Sequence, residues 1–249
     1  MNRAQSETLG YVLVFSLVLA TVGTVYVAGV TELDDSRADA QVRNVERAFD
    51  VLADNLRDIH RHGAPRRATE LQLNEGSLSF GDVATVEVNA SAVANRSNFV
   101  HPPPVNVTPV TYTVGETTVA YSTGGVFRSS PNGVTTHSAP GWVVSDDVVA
   151  IPLVVTSAEV RDQAVGGPGT VLLATDAGGR TVPVQFDPAG SAVDLNVTVT
   201  SPRWSAWERH FGPRADAVST DAANGSVTFR FRTDRVIVTR TSVSVTIRP

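Results

Sequence analysis

The sequence predicts an α+β protein: a long N-terminal membrane-spanning helix, then a mainly antiparallel β domain, sandwich or curved sheet, with one short late helix. Three observations predict it. Thr8–Thr31 carries no formal charge. Apolar residues then recur at steps of three and four as far as Ile59. After Pro65 the apolar period drops to two.

The uncharged run, TLGYVLVFSLVLATVGTVYVAGVT, is bounded by Glu7 and Glu32. As a helix rising about 1.5 Å per residue it reaches ~36 Å, against a hydrocarbon core of ~30 Å. The expectation is a single-pass span in the cell membrane over residues 8–31, preceded by a short leader at 1–7. Arg3 is the basic flank, whereas Glu32, Asp34 and Asp35 crowd the far end before Arg37. The positive-inside rule then puts the N-terminus in the cytoplasm and the C-terminal domain outside. A cleaved signal with Ala28 and Gly29 near its end competes, but signal cores are shorter, at ~7–15 residues, and follow a more basic start.

Residues 32–63 read as an amphipathic extension of the helix. Val42, Val45, Phe49, Leu52, Leu56 and Ile59 form an apolar stripe, with Arg43, Glu46, Arg47, Asp50, Asp54, Arg57 and Asp58 between them. Gly63 is placed to cap the helix C-terminus, ahead of Pro65. The stripe has two readings: docking on the chain's own β domain, or packing against neighbouring subunits.

Residues 64–249 read as the β-rich domain. Strands are expected at 69–73, 77–80, 85–88, 110–114, 117–122, 148–155, 171–175, 182–186, 192–200, 227–231 and 236–247. Hairpins are expected at Asn74-Glu75-Gly76, Gly115-Glu116, Pro131-Asn132-Gly133 and Ala177-Gly178-Gly179. The prolines Pro102, Pro103 and Pro104 mark an extended crossover. The late helix is expected from Pro202 to Phe211 with Ser201 as its cap. Its face of Trp204, Trp207 and Phe211 reads as core packing, with ligand or glycan stacking as the sharper alternative.

At Arg3, Ala4, Gln5, Ser6, Glu7, Thr8 and Leu9 the chain resembles the start of archaeal prepilins: a short basic leader, a small residue, then a polar turn opening an apolar helix. The resemblance implies cleavage between Ala4 and Gln5 by a prepilin peptidase, with Glu7 near the polar head of the packed helix as an assembly contact. Glu7 would be the third mature residue, where that family commonly has its acid at the fifth. The segments 121–134, 142–155 and 204–211 are similar to a haloarchaeal family of pilin-like proteins of unassigned activity.

Composition sets the limits on chemistry. All twenty basic residues are Arg, and with twenty-five acids the net charge is -5. That balance gives no reason to expect nucleic acid. The lack of Lys with abundant Asp is the usage of salt-loving archaea, although a GC-rich genome makes the same exchange. Without Cys, disulfides, thiol catalysis and thiolate metal sites are excluded. His60, His62, His101, His137 and His210 show no chelating spacing, and the acidic pairs Asp34-Asp35 and Asp146-Asp147 lack the regular donors of a calcium loop. Gly166, Gly167 and Gly169 lack the Lys and hydroxyl of a phosphate loop. No enzyme, cofactor or small-molecule substrate is therefore expected.

Asn89, Asn95, Asn106, Asn196 and Asn224 open Asn-x-Ser/Thr sequons and are candidate N-glycosylation sites. The functional expectation is a membrane-anchored pilin-like surface protein with a structural or adhesive role in the archaeal cell envelope or a surface filament. Its expected partners are the membrane, a prepilin peptidase and other pilin-like subunits. The alternative is a monomeric membrane-tethered extracellular ligand-binding module.

Overall fold

A computed structural model describes residues 3–160 and 163–248, with side chains described for 10–26, 40–160 and 163–248. Two compact units result, Met1–Arg43 and Asn44–Pro249.

Along the chain run α1 (Arg3–His62), β1 (Arg66–Gln72), β2 (Ser77–Phe80), β3 (Ala84–Ala92), β4 (Phe99–Val100), β5 (Val105–Val107) and β6 (Val110–Val114). Then come β7 (Thr117–Ser122), β8 (Gly125–Ser130), β9 (Gly133–Ser138), β10 (Val143–Val144), β11 (Val148–Ala158), β12 (Ala164–Gly166) and β13 (Thr170–Phe186). The rest is β14 (Val193–Thr200), α2 (Trp204–Phe211), β15 (Ala217–Asp221), β16 (Ser226–Thr233) and β17 (Arg235–Arg248).

In the first unit, every described side chain from Gly10 to Tyr26 is exposed. Among the described residues no helix is long and apolar enough to cross a membrane. The remainder of the expected span, at 8–9 and 27–31, lies outside the residues whose side chains are described. The expected single-pass span is thus overturned, and with it the cytoplasmic and extracellular placement built on it. The α+β expectation gives way as well: strands dominate the described chain.

In the second unit the strands form three sheets. The first runs β1-β13-β17-β11-β10, the second β12-β2-β6-β7-β8-β9, and the third β15-β16-β14-β3-β4 with β5 also on β3. Most pairs are antiparallel, but β11 and β17 are parallel from Val148↔Arg235 to Ala158↔Val245.

A single apolar cluster joins the first and third sheets. It takes Val149, Ile151, Leu153 and Val155 from β11 and Val236 and Val238 from β17, with Val193, Leu195, Val197, Phe229 and Phe231 from β14 and β16. Trp207 and Phe211 of α2 belong to the same cluster. They are core residues, and Trp204 packs against the same cluster.

Within the second unit, the opposite face of the first sheet carries the C-terminal part of α1, residues 44–62. Val45, Phe49, Leu52, Leu56 and Ile59 are all buried, Phe49, Leu52 and Leu56 completely. Asn55 Nδ2 donates to Thr69 Oγ1 on β1 at 2.9 Å, and His60 Nδ1 lies 2.8 Å from Thr241 Oγ1 on β17. Two-residue alternation places Val243, Val245 and Ile247 on the same face as Thr241. On the helix flank, His137 Nε2 of β9 lies 2.9 Å from Asp50 Oδ2, and Arg128 of β8 is 3.7 Å from Glu46. Gly63 ends the helix at φ +71, its N–H bonded to the Ile59 carbonyl, a conformation that a Cβ disfavours.

Two expected hairpins are not hairpins. Asn74 does turn, with φ +51, but β1 and β2 enter different sheets, since a turn residue sets local direction and not pairing. At Ala177-Gly178-Gly179 the chain does not turn back. β13 continues along β17, pairing Ala177 with Val243 and Arg180 with Thr241 across a register shift. The Ser242 carbonyl oxygen lies 3.0 Å from where a Gly178 Cβ would stand. Glycine there admits a close backbone approach. The late helix also begins later than expected: Ser201 Oγ accepts from the Arg203 N–H, a local turn that displaces the helix start to Trp204.

Candidate functional site

Two surfaces merit a functional reading. One is the apolar helix of the first unit. Tyr11, Leu13, Leu17 and Tyr26 expose 75, 65, 65 and 72% of their surface. Val12, Val14, Phe15, Val18, Leu19, Val22 and Val25 are exposed too, so the apolar surface runs all round the helix and not along one stripe. Two of its hydroxyls bond back to the helix: Thr21 Oγ1 donates to the Leu17 carbonyl at 2.9 Å and Thr24 Oγ1 to the Ala20 carbonyl at 2.8 Å. These bonds satisfy the two threonine donors within the helix. A helix apolar all round is normally covered.

The second surface is a cleft of about 580 Å³ in the second unit, where Arg240 and Ser242 of β17 and Ser157 of β11 face Phe80, Asn106 and Thr108. Sequence reasoning missed it. The available signal was a switch within β17: Val236 and Val238 are followed at the same period by Arg240, Ser242 and Ser244, while Thr241, Val243, Val245 and Ile247 form a second row.

Arg3, Ala4, Gln5 and Glu7 have side chains outside the described residues. Val42, the first member of the stripe, falls in the first unit; the other five belong to the second. Of the sequons, Asn89 and Asn196 are half-buried and face each other across β3 and β14. Asn95, Asn106 and Asn224 are exposed. Asn224 Nδ2 donates to Asp221 Oδ2 at 2.6 Å, an interaction that holds the Asp221 carboxyl below its ordinary range. Among the described residues no group of three or more His, Asp or Glu could hold a metal ion.

His60 is the most buried of the histidines. Its Nε2 faces Thr239 Oγ1 at 3.3 Å while Nδ1 faces Thr241, so a neutral ring satisfies both nitrogens by donating at one and accepting at the other. Burial lowers its pKa, and the charges of Arg180 and Arg61 lower it further. A lowered folded value means that the unfolded chain takes up the proton first. Stability is therefore full above the ordinary pKa of about 6.5 and falls as pH drops from there through the folded value. Urea unfolding is expected to show a lower midpoint at pH 5 than at pH 8, with His60→Gln reducing the difference. His210, lowered by burial and Arg214, accounts for part of what remains; an unaltered pH profile in His60→Gln would refute the assignment.

Comparison with known proteins gives family-level information. The model of a family of unknown function, DUF7289, matches residues 3–246. A protein of Archaeoglobus fulgidus described as uncharacterized is 28% identical over 80 residues, 32% of this chain and 26% of its own length. The aligned region thus spans about a quarter of that relative. No solved structure matches.

Proposed function

The chain belongs to DUF7289, a family of unknown function, and from its own geometry we propose that it is a non-enzymatic, pilin-like structural subunit. Its apolar N-terminal helix packs among the helices of other subunits, and its β unit supplies structural or adhesive surface. The observation that carries this reading is the exposed apolar surface all round Gly10–Tyr26. Each large apolar side chain covered there contributes about 1.5–3 kcal/mol, and helices of the same kind offer matching cover. The stripe from Val45 to Ile59 plays no part in assembly on this reading, because it is already buried within its own unit.

Leu17→Arg places a charge in the middle of the apolar surface. Analytical ultracentrifugation is expected to find large assemblies of the unaltered chain and monomers of the variant. Unfolding of the second unit should change by no more than about 0.5 kcal/mol. An unaltered chain that stays monomeric at high micromolar concentration, or a variant that assembles as well as its parent, would overturn the proposal.

A further inference from the structure

The inner faces of β11 and β17 start apolar and end polar. In the parallel pairing Leu153 stands beside Arg240 and Val155 beside Ser242. Leu153 and Val155 belong to the core cluster, whereas Arg240 is exposed and makes no ion pair among the described residues. At this point the first sheet opens into the 580 Å³ cleft, bounded opposite by Asn106, Thr108 and Phe80. Such a volume lies within the roughly 300–1,000 Å³ of small-molecule sites.

The lining restricts what fits. Arg240 is its sole ionisable side chain among the described residues. Among the described residues no carboxylate lines it to hold a divalent cation. One guanidinium balances one negative charge, so a phosphate dianion would keep a charge unpaired. A wholly apolar ligand would strip water from Arg240 and the hydroxyls without replacing it. The Thr108 and Ser242 hydroxyls, which make no hydrogen bond among the described residues, can each donate and accept. Asn106 Oδ1 is taken by the Thr85 hydroxyl at 3.1 Å, which leaves the Asn106 amide N–H groups to donate. Phe80 adds an apolar surface of the kind on which the C–H face of a sugar ring rests.

We propose that this cleft is a binding site for an acidic monosaccharide or a short glycan ending in one, with the carboxylate forked by Arg240 and the ring hydroxyls met by Ser242, Thr108 and Asn106. The planar guanidinium matches a carboxylate in bidentate geometry. The site lies wholly within the second unit, so it does not depend on how subunits assemble.

Calorimetric titration of the full chain, made in a host that does not glycosylate Asn106, tests this with D-glucuronate, D-glucose and inorganic phosphate as separate probes. D-Glucuronate is expected to saturate one site in the millimolar range or below and to bind at least about tenfold more tightly than either of the others, about 1.4 kcal/mol. Arg240→Gln is expected to lose at least that tenfold, and Arg240→Lys, which retains charge without the fork, to fall between. Equal binding of D-glucose would remove the carboxylate contact from the account, and equal binding of phosphate would reduce the cleft to a simple anion site. Failure of D-glucuronate to saturate, or undiminished binding by Arg240→Gln with an unchanged circular dichroism spectrum, would overturn the proposal outright. Should Arg240→Gln not fold, Arg240→Lys decides: affinity equal to the parent's counts against the fork.

Discussion

Phe49→Ala is expected to lower the stability of the second unit by about 3–5 kcal/mol, a large fraction of the ~5–15 kcal/mol that holds a typical domain together. Phe49 is wholly buried, with Leu52 and Leu56 also at zero exposure one turn and two turns on. Its loss removes apolar area and leaves a hole that the first sheet, clamped by the long β13–β17 and β11–β17 pairings, cannot close by shifting. Urea denaturation followed by far-UV circular dichroism measures the effect. Val51, 53% exposed and two residues away on the outer side, provides the control: Val51→Ala should cost less than about 0.5 kcal/mol. If the two variants lost equal stability, the stripe would not be the helix's docking face. If Phe49→Ala left stability unchanged but disturbed assembly, the neighbouring-subunit reading of the stripe would return.

Trp207→Ala is expected to cost a similar ~3–5 kcal/mol from the other core. Trp207 is 1% exposed, with ring centroids 5.3 Å from Phe127, 5.3 Å from Trp142 and 5.9 Å from Phe211. Aromatic pairs in such geometries add about 0.5–1.5 kcal/mol beyond their buried area. Three rings lose a partner at once. Near-UV circular dichroism reports the loss directly, because Trp142 stays stacked on Phe211 at 4.6 Å only while the cluster keeps its shape. A full near-UV spectrum in Trp207→Ala together with an unchanged unfolding midpoint would show that α2 is peripheral to the fold and free to serve as a stacking surface.

Local features were the ones legible in advance. β2, β6 and β7 occupy the runs that alternation marks out, because side chains on an extended chain alternate between faces whatever the strand pairs with. The burial of Val45, Phe49, Leu52, Leu56 and Ile59 follows likewise from the 3.6-residue turn. Alternation did not disclose partners. Nothing between Val148 and Ala158 shows that β11 runs parallel to β17, since parallel pairing is set by how an intervening chain returns. Gly178 and Gly179 read as a turn because glycine is commonest there, yet glycine also permits the close strand approach found at Ser242.

The candidate sites were less legible than the fold. Lack of charge from Thr8 to Thr31 pointed to a membrane span, but hydropathy records the transfer preference of side chains and leaves open what covers them; among the described residues no helix is long and apolar enough to cross. Arg240 falls inside the strand expected at 236–247, and nothing in its local sequence sets it apart. Its distinctive position arises because the inner row of β17 outlasts the apolar core while the strand itself continues.

By itself, then, the sequence determined periods, turns and exclusions: an apolar helix, an amphipathic stripe, many strands, and no thiol chemistry. Tertiary structure decided the rest. It assigned strands to sheets, placed the stripe from Val45 to Ile59 within the second unit, put His60 against Thr239 and Thr241, and opened a cleft around Arg240. The physical reason is range: periodicity acts through neighbours a few residues apart, whereas the His60–Thr241 contact joins residues 181 positions apart, and which distant faces meet is settled by packing all of them at once.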